Sequence, residues 1–395
     1  MVYLSYLFLA ILLHPLVSGA PSTKLIISSI KMISKVILSS LLILLTLAGS
    51  SSDCYQHYSS PDDSSLDEPS TDQPPFATHL AADRDEVCLS SDSKKQPLVF
   101  DSFGVVYPTA TCGSAGSGEL FRGRSELYMA CTGPRNKIMV GDEVIGTVAA
   151  VESLLSNKRG MDTRASCLTV NKAVIERDPH NDRNGECVAY RVGFRLPAGP
   201  SPRFHVVFVV CWVHSDNHPM WVRHVVNPAV AIDNDDEYGL VDRAIRAKFR
   251  FSRAVFGLDF NPKIYFTVAH QRKIGLLENN KGSDFLARGH LAPAGDFMLA
   301  CERWATFRLE NAVPQWQSHN NGEWKSVEDR ARRVPGAHII ETGPVYGNDS
   351  SSGLFLSPRH KFLPVPKSLY KVVYNMDGLI IFNEVALITN ALTGI

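Results

Sequence analysis

The sequence predicts an α+β chain, and two observations carry that class. Across residues 85–235, short apolar or alternating runs are separated by Gly, Pro, Asn and Asp clusters, the pattern of strands joined by turns. Lys137–Gly141 is one such run, and His205–Val213 reads as a buried strand. Further on, Asn320, Trp324, Glu328 and Arg332 recur every four residues, drifting about 40° per step around a helix into a slanting stripe on one side. The 395 residues allow two or three domains or one large one, and the composition is that of an ordinary soluble globular protein.

The N-terminus carries two apolar runs. Residues 2–17 lead into the small residues Val17–Ala20, and Val36–Ala48 follows Lys31 and Lys35 and ends in Gly49–Ser52. Both runs are shorter than the roughly 18–20 residues that span a bilayer comfortably, and both have the form of a signal peptide. Met32 onward is a complete signal by itself. Met32 is therefore the expected start, with residues 1–31 an upstream extension and residues 1–50 the signal region; a membrane anchor is the alternative. Residues 51–76 are rich in Ser, Pro and Asp and cannot bury enough surface to order, so they are expected to be an acidic linker. A β-rich region over 77–235 and a second unit over 236–395 complete the expected organisation.

Eight cysteines follow the signal region: Cys54, Cys88, Cys112, Cys131, Cys167, Cys187, Cys211 and Cys301. The count is even, no Cys-x-x-Cys pair points to zinc, and the N-terminus predicts secretion, so structural disulfides are expected, their pairing left open. Formal charge is zero, with 40 Lys and Arg against 40 Asp and Glu. That argues against a strongly basic nucleic-acid binder. The acidic excess sits in residues 1–75, with three basic and six acidic groups, which leaves 37 against 34 in the rest. A local basic groove remains compatible with this balance. The stretch Leu240–Arg253 holds Arg243, Arg246, Lys248, Arg250 and Arg253 among apolar residues. It fits either a solvated face or a strip that tracks phosphates.

Most of the chemistry is concentrated in Asp284–Phe297. His290 follows Gly289 and stands two residues after Arg288. An imidazole near neutrality can take a proton from water, and a guanidinium can hold a phosphate in its planar fork. Gly289 permits a sharp turn or a close approach. Taken alone, Arg-Gly-His fits a satisfied loop histidine as well. Downstream stand Asn311-Ala-Val-Pro-Gln315, then Asn320 with Trp324, Glu328 and Arg332. Asn320–Trp324 looks like a helix start capped by Asn, on which Trp324 and Val327 are core candidates. An i, i+4 salt bridge is the plain alternative for Glu328 and Arg332.

In these residues the chain resembles the DNA/RNA non-specific endonuclease family of ββα-metal nucleases, and within it the secreted arthropod nucleases of duplex DNA or double-stranded RNA. The family pattern is Asp-Arg-Gly-His, then Asn-x-x-Pro-Gln, then Asn with Trp four, Glu eight and Arg twelve residues on. Every position matches except the first, where Ala287 replaces Asp. The core of the likeness covers residues 284–333, and a weaker likeness, including Glu341–Tyr346, runs from about 187 to about 385. The resemblance implies a central antiparallel sheet flanked by helices, with a hairpin and a helix over 320–333 clasping a metal, and a β-rich N-terminal extension. It implies His290 as general base, Asn320 as the single direct ligand of Mg²⁺ or Mn²⁺, Glu328 near the metal's water shell, and Arg288 and Arg332 near the phosphate. A neutral amide oxygen suits a hard cation that keeps several waters. Asn311 either fixes the strand facing His290 or touches phosphate. The implied activity is metal-dependent hydrolysis of DNA, RNA or both by a secreted protein with no stable membrane association. Ala287 leaves a weakened, nucleic-acid-binding relative as the alternative. Asn348–Ser350 is a glycosylation acceptor suited to that compartment.

Overall fold

The computed structural model describes residues 86–90, 95–112, 118–152, 162–163, 165–183, 185–196, 203–227, 230, 247–277, 284–346 and 354–388. The signal region, the acidic linker, Cys54, Arg243, Arg246 and the acceptor at 348–350 lie outside the described residues. No described helix is long and apolar enough to cross a membrane.

The expected antiparallel sheet is present and has seven strands. Its first four are β1 (Val174–Arg177), β2 (Val188–Leu196), β3 (Arg203–Val213) and β4 (His218–Val225). A separate two-stranded hairpin comes next, β5 (Leu286–His290) and β6 (Ala312–Trp316). The last three sheet strands are β7 (Ile339–Val345), β8 (Ser368–Tyr374) and β9 (Ile380–Leu387). The order is β1-β2-β3-β4-β7-β8-β9, antiparallel at every pair. The predicted strand His205–Val213 is the greater part of β3; its Phe208, Val210, Cys211 and Trp212 are fully buried. In β8, Leu369, Lys371 and Val373 point into the core while Tyr370, Val372 and Tyr374 are half-buried, the two-residue period of a strand with one face covered.

Three helices accompany the sheet: α1 (Ala300–Thr306), α2 (Gln317–Asn321) and α3 (Glu323–Arg332). α1 packs on β2 and β3, and α3 packs on β8 and β9. Trp324 and Val327 of α3 are fully buried, as expected. The helix expected over 320–333 is divided at Gly322. Asn320 belongs to the preceding turn of helix, and α3 begins at Glu323 with no side-chain cap. An added Cβ at Gly322 would lie 2.9 Å from the Ser318 carbonyl oxygen, so the break depends on glycine. Asn320 consequently does not cap α3.

The N-terminal region is built from small sheets, one of four strands and two of three, and Ile138–Val140 is a strand as expected. One continuous apolar core runs from Val87, Leu98 and Phe121 through Trp212 and Trp324 to Leu369 and Ile388. Tyr107 donates to Glu302 of α1 at 2.8 Å, and His205 of β3 meets the same carboxylate at 2.7 Å. Residues 78–395 form one compact unit. The expected boundary at 235/236 falls, along the chain, between β4 and its sheet neighbour β7. Cys131–Cys167 and Cys187–Cys211 are disulfides, and Cys88 is also disulfide-bonded. Cys301 departs from the expectation: it is a free, buried thiol on α1.

Candidate active site

The hairpin sets Arg288 and His290 on one face of β5, two residues apart, with His290 opposite Ala312 and Arg288 opposite Pro314. Gly289 turns its missing side chain the other way, where an added Cβ would lie 1.9 Å from Oε1 of Gln315. Gln315 is itself fixed by a 2.6 Å hydrogen bond to Nδ1 of His319 on α2. The glycine therefore lets α2 close against β5. Asp284 completes that closure. Its carboxylate accepts from the Ser318 backbone N–H at 3.0 Å and from the Ser318 hydroxyl.

Two aromatic rings enclose His290, Phe249 at 5.0 Å and Phe307 at 4.9 Å between centroids. Burial among them pushes the imidazole pKa down to about 4, so the ring is neutral across the physiological range. Its Nε2 is buried without a hydrogen-bond partner. Phe249 also lies 5.4 Å from the Arg288 guanidinium, with Phe266 at 5.5 Å on the same group. Arg288 has no carboxylate partner among the described residues, its Nε is buried and unpaired, and burial lowers its pKa. A neutral base and an uncompensated guanidinium thus share one aromatic wall.

The chain leaving His290 is held by Asn311. This fully buried amide donates to the carbonyls of Ala292 at 2.8 Å and Thr306 at 3.0 Å, and accepts from the Ala292 N–H at 2.9 Å. Of the two roles open for it, the geometry supplies the fixing one, with the amide engaged on backbone. The next residues carry Asp296, buried, with a carboxylate shared between Nε of Arg332 at 2.8 Å and Nε2 of His224 at 2.8 Å. Burial opposes its ionisation, but Arg332 and His224 hold its pKa far below the usual carboxylate range. Arg332 also donates to Asp329, so two of its nitrogens face carboxylates of the protein. The sequence placed Arg332 near the phosphate; here it binds α3 to the loop after His290.

Glu328 forms no salt bridge with Arg332. Burial pushes its carboxyl up to about 7, with Asp296 and Asp329 adding to the rise against the pull of Lys371 and Arg332. Lys371 is fully buried on β8. It donates to Thr342 at 2.6 Å and to the Leu291 carbonyl at 3.4 Å, and lies 5.3 Å from the Trp324 ring. The sequence reading missed Lys371, Asp296 and the two phenylalanines. Lys371 did leave a signal, a charge at the inward position between Leu369 and Val373. The side-chain amide of Asn320, on the half-buried turn packed against β5, makes no hydrogen bond among the described residues. Among the described residues no three His, Cys, Asp or Glu side chains cluster as a metal site. A hard cation is nonetheless chemically compatible with the Asn320 amide oxygen and with the Glu328 carboxyl, which makes no salt bridge among the described residues and which burial holds up near 7, where a bound cation would favour its ionised form.

Comparison with known proteins finds nucleases among the relatives of this chain. The chain is 31% identical over 154 residues to a salivary endonuclease of Lutzomyia longipalpis, covering 38% of this chain and 34% of that one. It is 22% identical over 283 residues to salivary protein Tsal1 of Glossina morsitans morsitans, covering 66% and 68%. It is 28% identical over 211 residues to the mitochondrial nuclease EXOG of Mus musculus, covering 51% and 50%. The matched segments thus span between about a third and two thirds of these relatives. The family model for DNA/RNA non-specific endonuclease matches residues 187–391, from the start of β2 past the end of β9 and across the whole hairpin and α3. The chain belongs to the DNA/RNA non-specific endonuclease family.

Proposed function

We propose that this protein is a secreted, metal-dependent endonuclease that hydrolyses phosphodiester bonds of DNA, RNA or both without reading the sugar. The observation that carries the proposal is the Arg288–His290 pair. A neutral imidazole and an unpaired guanidinium share one strand face and one phenylalanine, and neither is satisfied by the protein. His290 takes the proton of the attacking water, which its depressed pKa leaves it free to accept. Arg288 holds the phosphate in its fork. Asn320 supplies the amide oxygen for Mg²⁺ or Mn²⁺, and Glu328 orients the water around that ion. A bound divalent ion supplies neutralisation of charge at the leaving oxygen. Asn311 and Arg332 hold the loop that follows His290, Asn311 against the end of α1 through backbone carbonyls and Arg332 against α3 through the Asp296 carboxylate. Export to an oxidising compartment accounts for the disulfides Cys131–Cys167 and Cys187–Cys211.

The experiment is digestion of supercoiled plasmid and of matched single- and double-stranded DNA and RNA, with Mg²⁺, with Mn²⁺ and with chelator. Metal-dependent nicking without sequence preference is the expected result. A folded, oxidised protein that binds nucleic acid but cleaves none of these substrates would replace the proposal with a binding role, for which Ala287 in place of the family Asp is the suspect.

A further inference from the structure

Behind the two rings that enclose His290 lies a pocket of about 460 Å³. Phe249 and Phe307 form its wall toward the imidazole. Lys248, Arg250, Lys263 and Arg308 also line it, and among the described residues no Asp or Glu does. Lys248, Arg250 and Lys263 have no carboxylate partner among the described residues. Arg308 is nine-tenths buried and shares one nitrogen with Glu310 at 3.3 Å, while its Nε is buried with no acceptor. Trp304, on the same lining, has a buried Nε1–H that is equally unanswered. In a chain of zero formal charge, four cations and two unsatisfied N–H donors around one cavity is a local excess that an acceptor of negative charge would satisfy. Asn171 and Ala173, from the segment before β1, close the far side, so the N-terminal region helps to build the pocket.

We propose that this pocket is a phosphate subsite for the strand being cut, taking the phosphodiester next to the one held at Arg288. The inference rests on the nucleolytic reading of Arg288 and His290 and extends it along the substrate. Continuity of the wall is the argument for position: the face of Phe249 that meets His290 and Arg288 belongs to the same side chain that lines the pocket. The chemistry is that of a backbone phosphate and carries no base preference. It gives the basic run around residue 250 a role for those of its charges that the structure describes, Lys248 and Arg250; Arg253 is exposed at the start of a short helix and does not line the pocket.

The test uses binding, so it does not depend on catalysis. In the full chain carrying His290→Ala, fluorescence anisotropy measures the affinity of a labelled twelve-nucleotide single strand and of a labelled dinucleotide with one internal phosphate, each across a salt series. Lys248 and Lys263 are both exposed, so Lys248→Ala with Lys263→Ala leaves the core intact. For the longer strand this double variant should lose about tenfold or more in affinity. The salt slope should fall by about 1.4, roughly 0.7 for each phosphate contact on a single strand. For the dinucleotide, which cannot reach the pocket while seated at Arg288, nothing should change. Lys248→Arg with Lys263→Arg should retain the longer strand. Equal losses on both ligands, or no loss on the longer one, would overturn the inference. So would a site for free anion alone, seen as a phosphate-dependent rise in melting temperature that the double variant abolishes while its affinity for the long strand is untouched. Absence of cleavage by the unmodified protein would count against the nuclease reading and leave this binding result to stand or fall by itself.

Discussion

Phe307→Ala should move the acid limb of the pH–rate profile upward. In the intact site the imidazole of His290 is 4.9 Å from Phe307 and 5.0 Å from Phe249, and burial between them lowers its pKa to about 4. A free imidazole titrates near 6.5. Only the neutral ring accepts a proton, so rate is lost as pH falls through the pKa of the folded enzyme. At pH 5.5 a ring with a pKa of about 4 is roughly 97% neutral, whereas one at about 6.5 is roughly 10% neutral. Removing one wall readmits water and should carry the midpoint part of the way back. The variant should then lose up to about tenfold more than the unmodified enzyme between pH 7.5 and 5.5, a window in which any titration of Glu328, held near 7, is common to both.

The assay is initial cleavage rate against pH at saturating metal, with Phe307→Leu as the control that keeps an apolar wall and should keep the limb near 4. This outcome differs from the midpoint of about 6.5 that the residue type alone suggests. If Phe307→Ala loses no more rate than the unmodified enzyme across that window, the aromatic enclosure is not what sets the titration. If Phe307→Ala and Phe307→Leu share a limb near 4, the argument from burial is refuted.

Three further outcomes follow from the same geometry. His290→Ala should lower turnover by roughly 10²–10⁴ with little change in melting temperature, since Nε2 makes no hydrogen bond to lose; unchanged turnover in a folded variant would remove His290 from the mechanism. Asn320→Ala should raise the Mg²⁺ concentration for half-maximal rate, recover part of that rate in excess metal and leave stability alone; loss of rate that no metal concentration recovers would count against a ligand role. Asn311→Ala should destabilise by about 2–4 kcal/mol in denaturant titration, because three buried backbone groups lose their partner; a variant as stable as the parent would leave Asn311 with the phosphate role instead.

The parts of this molecule visible in its sequence are those governed by local chemistry. The buried apolar run of β3 and the apolar positions Trp324 and Val327 of α3 are local, and the sequence pattern carried them. The break at Gly322 was legible in principle, but helix spacing continued across it, and the clash that fixes it involves a carbonyl four residues back. The pairing of Arg332 with Asp296 was not legible. Those residues are 36 positions apart, and an arginine four residues after a glutamate on a helix looks the same whether it faces solvent, phosphate or a buried carboxylate. Nor could spacing divide the cysteines between bonded and free: Cys301 has an ordinary neighbourhood in sequence and is a thiol because α1 packs it into the core. The joining of β4 to β7, which makes one sheet of both halves, likewise depends on contacts more than a hundred residues apart.

The buried charges beneath the hairpin are better explained by position than by stability. Asp296, Arg332, Lys371 and Glu328 lie among β8, α3 and the loop after His290, and removing such groups from water is expensive even when they pair. Apolar residues of similar volume would fill the same space without that cost. What they could not do is fix three separate elements by direction. Lys371 reaches the carbonyl of Leu291, the residue after the base, while lying against Trp324 on the helix that carries Glu328. Arg332, four residues beyond Glu328, reaches Asp296 in the same loop. Two independent polar ties thus run from the His290 segment toward the helix of Glu328, and Asn311 supplies a third from the other side of the loop. On the proposed reading, with His290 as base and Glu328 beside the metal's water, these ties supply the mutual registration that action on one phosphate needs.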